Sequence, residues 1–333
     1  MGQSIVMKTS WLLSSPERKQ FVIISSVTVF AIIFPWFWFL NDYNIYILTL
    51  AIIYALPATG LTLFMGYTGQ LSIGHAAFYG IGAYVAANLT ILGTPFLLAL
   101  LLSALITGLI GLALGSITLR LRGFSLAMST LALGLISYQI FKNFTSFTGG
   151  VSGLGQIPAP SVMGLLIDSK LSNYYLALAV LFLVMVVSTF LVRSPTGRAM
   201  RAIAANELAS QALGINTYFI KSVVFALSAA FTGVAGGIYA HTIRFIAPDN
   251  FSLIFSILFL TMAIVGGLGS ITGGLVGSVV ITLSSEGLRS FPELQPIFYG
   301  SLLIILVLFM PYGVTGAFNR LREKLLIPHS MRK

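Results

Sequence analysis

Residues 193–221 read RSPTGRAMRAIAANELASQALGINTYFIK, a charged and alanine-rich stretch set between two long apolar runs. Ser194, Pro195 and Thr196 make a helix start, good helix formers follow, and Gly214 offers a left-handed stop. The spacing therefore predicts one helix across most of the stretch. On it Ala204, Ala205, Leu208, Ala209 and Ala212 share a face with Glu207 beside them, while Met200, Ile203 and Leu213 fall elsewhere around the axis. Such a helix either rests on lipid headgroups or meets a protein. Its thin, alanine-rich face suits close protein contact better than lipid.

The rest of the chain supplies the setting. Of 333 residues, 57% are hydrophobic and only 8% charged, too few polar groups to coat a water-soluble surface of that size. This composition predicts an all-α, polytopic membrane protein. The net charge of +10 does not point to nucleic acid, because the basic residues fall in short loops between apolar runs. Without cysteine there is no disulfide, thiolate metal site or thiol redox chemistry.

A basic tail, residues 1–20, precedes an apolar run over 21–40. That run is too long for the core of a cleaved signal peptide, and NDYN follows it in place of a small-residue cleavage site. It is expected to be a retained span. Further spans are expected at 45–65, 73–92, 95–119, 124–141, 174–192, 222–240, 251–265, 267–285 and 297–310, about ten in all. The membrane domain then covers 21–319, and 320–333 form a second basic tail. With both termini cytoplasmic, fourteen of the eighteen Lys and Arg lie inside, and Lys142, Lys170, Arg244 and Arg289 share the outer side with five of the eight acidic residues.

Chemistry within the spans is sparse. Apart from His75 and His241 at span ends, no ionisable side chain is required deep in the bilayer, which counts against self-contained ion coupling. Residues 214–222, GINTYFIKS, end in Lys-Ser but lack the second glycine and the preceding strand of a phosphate-binding loop. No ATPase is carried on this chain. Gly150-Val151-Ser152-Gly153 with His241 as base suggests a serine hydrolase only weakly, since Ser152 falls in a polar external loop. The three histidines form no metal-ligand spacing, and no cofactor is implied.

The densest glycine pattern is GYTGQLSIGHAAFYGIGAYVAA, residues 66–87, where small residues let helices approach and the backbone bend. Gly66, Tyr67, Gly69, Ser72, Gly74 and His75 are candidates for a polar translocation path; close packing is the competing role for each glycine. Gly266, Gly269 and Gly274 repeat the spacing of Gly66, Gly69 and Gly74 at a second junction between spans. An internal repeat and chance both account for that.

The segment from Gly66 to Tyr84 resembles the signature of branched-chain amino acid ABC transporter permeases of the LivM type. TGGVSGLGQIP at 148–158, the 193–221 stretch and GGLGSITGGLVG at 266–277 agree with that family in order. The resemblance implies a permease subunit of an importer in a bacterial inner membrane. Its implied partners are two ATP-binding subunits, a second LivH-like permease, an external solute-binding protein and membrane lipid. Residues 193–221 then resemble the family's coupling loop to the ATPase, with Arg201, Glu207, Ala209, Ala212 and Gly214 as its contact residues. Ser210 stands where a second alanine is usual, Ala204 and Ala205 replace charged residues, and Leu258 stands where many relatives carry a glutamate. Aliphatic or other neutral amino acids are the leading solutes, with urea and short amides behind them. A channel or secondary carrier would share the hydropathy, and is separated from an importer by whether transport needs ATP-binding partners. The outer loop 142–173 is the expected surface for the solute-binding protein.

Overall fold

One long helix carries mostly small and polar residues on its inward face and leucine on its outward face. On α3 (Phe96–Thr118), Leu101, Leu105, Leu109 and Leu112 are exposed, whereas Ala99, Ser103, Thr107, Gly111 and Gly115 are buried. That polarity is reversed from a soluble amphipathic helix and is what a lipid-facing helix requires, because small residues let backbones approach where leucine gains nothing over lipid. The structure is a computed structural model, and it describes residues 41–309 except 122 and 163.

The chain is an all-α polytopic membrane protein. In order, α1 (Asp42–Leu61) runs into a π turn (Thr62–Gly66), followed by α2 (His75–Ile91), α3 and α4 (Phe124–Asn143). Next come α5 (Lys170–Arg193), α6 (Pro195–Ala205), α7 (Glu207–Ala212) and α8 (Thr217–Ile243). Helices α9 (Leu253–Gly266), α10 (Ile271–Gly287) and α11 (Gln295–Phe309) complete the described chain. One two-stranded hairpin, β1 (Ser161–Val162) with β2 (Leu165–Leu166), lies in the connector before α5.

Among the described residues six segments are long and apolar enough to cross a membrane: Asp42–Gly66, Phe96–Thr118, Phe124–Asn143, Lys170–Arg193, Thr217–Ile243 and Pro248–Gly266. They coincide with six of the expected spans. The expected spans at 73–92, 267–285 and 297–310 are instead shorter helices of 17, 17 and 15 residues. Glycine junctions and turns consume part of each of these apolar runs. The expected span at 21–40 and both basic tails lie outside the described residues.

Helix α8 is the hub, packed against α3, α2 and α1. Gly82 on α2 and Gly233 on α8 meet so closely that a Cβ on the former would fall inside the backbone of the latter. Ser103 Oγ of α3 donates to the Gly233 carbonyl at 3.2 Å from the other side. Above this contact Tyr54, Tyr79, Tyr239, Phe251 and Phe259 form a buried aromatic cluster that joins α1, α2, α8 and α9. On the far side of α1, α10 packs along it, and α9 and α11 adjoin.

Candidate functional site: the coupling segment and the glycine junctions

The 193–221 stretch folds as two helices rather than the single one its alanines suggest. Ser194 caps α6 by accepting from Gly197 N, with Pro195 in the first turn. At Asn206 the backbone extends (φ −161, ψ 108), and its side chain accepts from Ala209 N at 3.0 Å to start α7 anew. A good N-cap residue has reset the helix. Gly214 (φ +82) then closes the turn as expected, and Asn216 caps α8 through Phe219 N at 3.0 Å.

The break divides the expected common face, yet Ala204, Ala205, Leu208, Ala209 and Ala212 are all exposed. So are Leu208 at 65% and Leu213 at 81%, while Met200, Ile203 and Ser210 turn inward. Two of the five expected contact residues engage their own chain. Arg201 Nη1 donates to the Val192 carbonyl at 3.0 Å, tying α6 to the end of α5. Glu207 Oε1 accepts from Lys221 Nζ at 2.8 Å, tying α7 to α8. Lys221 is a buried cation that hydropathy does not reveal, since it sits near the edge of an apolar run.

Of the candidate path residues, Gly69 lies against this segment. Gly69 (φ +70) turns the chain where an added Cβ would stand 3.4 Å from Ala204 Cα of α6. Tyr67 donates to the Gly269 carbonyl at 3.2 Å, and Gly66 lies flat on Leu268, so the first junction is seated on the second. Burial raises the pKa of the Tyr67 phenol above its ordinary value, and the nearby Arg201 charge works against that. Gly74 abuts Thr130 of α4, whose hydroxyl also receives Ile73 N at 3.0 Å.

His75 opens α2, buried to 1%. Its Nδ1 is 3.1 Å from Ser72 Oγ and its Nε2 2.8 Å from Ser228 Oγ of α8, so one ring nitrogen donates and the other accepts in either tautomer. The imidazole in this conformation is a cross-link between the first junction and the hub. His241 is likewise occupied, with Nε2 2.9 Å from Thr90 Oγ1 and Nδ1 2.7 Å from the Gly237 carbonyl. With both of its nitrogens engaged and Ser152 exposed in the connector, the two form no hydrolase dyad.

At the opposite end, the TGGVSGLG turn is clamped by paired backbone bonds between Leu154 and Ile246 of 2.7 and 2.9 Å. Around it Arg244 pairs with Asp168, and Tyr138 donates to Asp249 at 2.6 Å. Two of the acids expected outside, Asp168 and Asp249, are thus bound within the chain. Among the described residues no group of His, Cys, Asp or Glu is placed to hold a metal.

Residues 43–308 match the family model for the branched-chain amino acid transport system permease component. The chain belongs to that family. It is 32% identical to the high-affinity branched-chain amino acid transport system permease protein LivM of Salmonella typhimurium, covering 89% of this chain and 75% of that protein. With LivM of Escherichia coli K12 the identity is 31%, over 90% and 76% of the two chains. LivH of the same strain is 30% identical over 80% of this chain and 92% of its own. No solved structure matches. The family is one of transport permeases, and the matched residues include both glycine junctions and residues 193–221.

Proposed function

We propose that this chain is the membrane-spanning permease subunit of an ABC importer for branched-chain or other neutral amino acids in a bacterial inner membrane. It carries no ATPase of its own. Separate ATP-binding subunits grip residues 193–221 from the cytoplasm, a second LivH-like permease completes the pore, and an external solute-binding protein delivers the solute to the loop 142–173. Both termini then face the cytoplasm, as the distribution of Lys and Arg requires. The observation that carries the reading is the bare surface of α6 and α7. Five small or apolar residues there stand exposed, and two of the three charged groups on these helices, Arg201 and Glu207, are spent on binding their own chain.

ATP-driven closure of the partners displaces α6 and α7, and the displacement passes to the junctions and the hub, so that the bundle opens alternately to either side. In the assembled complex, Leu208→Asp combined with Ala212→Arg is expected to release the ATP-binding subunits on purification and to abolish solute uptake into proteoliposomes. Retention of both partners and uptake would overturn the assignment.

A further inference from the structure

Helices α6 and α7 are fastened by different side chains, although α6 also packs on α8. Arg201 and Gly197 bind α6 to the carbonyl end of α5, Gly197 packing on Val192 and Arg201 donating to its carbonyl. Helix α7 instead folds back on α8 through two side-chain bridges, Glu207 to Lys221 at 2.8 Å and Gln211 Nε2 to Thr217 Oγ1 at 2.9 Å. Asn206 lies between the two helices with extended backbone.

Of the two bridges from α7 to α8, only one is ionic. The Lys221 side chain is 2% exposed and that of Glu207 17%, so the ammonium has little water to fall back on. Lys221 also lies near the positive end of the α8 dipole, a poor place for a cation, which makes it more dependent on the carboxylate. Glu207 therefore cannot leave without stranding a buried charge, and α7 and the start of α8 must travel together. Seven residues further along, Ser228 of the same helix holds His75.

We infer that Lys221 is the positioning residue through which movement of the coupling segment reaches α8. This rests on the reading that ATP-binding subunits act on residues 193–221. The hub helix is the driven element, and the first glycine junction follows it through Ser228 and His75.

The test uses the complete assembly in proteoliposomes and reads solute moved per ATP hydrolysed. Lys221→Met keeps the volume and removes the charge; the ratio is expected to fall roughly tenfold, the size of an ordinary coupling free energy, while the ATP-binding subunits still co-purify. An unchanged ratio overturns the role. Because this chain has no native cysteine, Glu207→Cys with Lys221→Cys can be bridged by a short bifunctional thiol reagent. Bridging is expected to restore the ratio over the unbridged pair, which a residue serving stability alone would not do; a bridged pair as uncoupled as the unbridged one overturns the inference. Solute accumulation by the chain without any ATP-binding subunit would remove the importer reading instead, whatever Lys221 does.

Discussion

The two glycine junctions carry the same spacing and each leads into a 17-residue helix, but they are wired differently. The first, at 66–74, is polar. Tyr67 bonds to the second junction, His75 bonds to Ser72 and to the hub, Thr130 anchors Ile73, and Gly69 lies beside α6. The second, at 266–274, is nearly all glycine and small side chains, and holds its place by packing: Gly266 on Gly273, Gly274 on Thr59 and Gly277 on Met262. One junction receives directions from several elements, whereas the other offers a smooth seat for it. A moving part and its bearing have this relation.

The comparison is broken most severely at the positions the two junctions share. A Cβ on Gly66 would fall inside the Leu268 carbonyl, and one on Gly266 inside that of Gly273, with backbone as the obstacle in both cases. Neither can yield by turning a side chain. Gly66→Ala and Gly266→Ala are each expected to cost about 3 kcal/mol, the upper range for overpacking, and to lower the thermal unfolding midpoint in detergent sharply. If either variant melts with the parent, the close seating of the junctions is wrong.

Next in size is a position without a counterpart. His75 has a polar partner on each ring nitrogen, while the residue 200 positions on is Leu275, partly buried and apolar. His75→Ala leaves a cavity and two stranded hydroxyls, a loss of about 2 kcal/mol. Leu275→Ala removes packing only and is expected to cost less. The ordering, read from unfolding midpoints of the two variants, tests whether the first junction is the one fixed by polar bonds.

These contrasts also mark what the sequence could convey. The all-α class, the six long apolar segments among the described residues and the turn at Gly214 were legible because they depend on local composition: apolar length and a glycine that tolerates φ +82. The break at Asn206 had its signal, a capping asparagine followed by Glu207, but the surrounding alanines favoured a continuous helix more strongly. The Glu207–Lys221 pair had none, since hydropathy averages one lysine away and the turn at Gly214 decides what it meets. His75 stood out as a lone histidine in a glycine-rich stretch. Its role as a tie to Ser228, 153 residues away, follows only from packing.

The smallest effect separates the middle glycines, where the two junctions look most alike in sequence. Gly69 has φ +70, a left-handed conformation that costs an ordinary residue about 1 kcal/mol, and its Cβ would meet Ala204 only at van der Waals distance. Gly269 is not left-handed, and nothing lies within 4 Å of where its Cβ would stand. Gly269→Ala is therefore expected to lie within about 0.5 kcal/mol of the parent, and even to gain slightly by restricting the unfolded chain. Gly69→Ala should lose about 1 kcal/mol and, because the strain falls beside α6, should also reduce solute moved per ATP. Equal midpoints and equal transport for the two variants would mean that the first junction is no more closely tied to the coupling helix than the second.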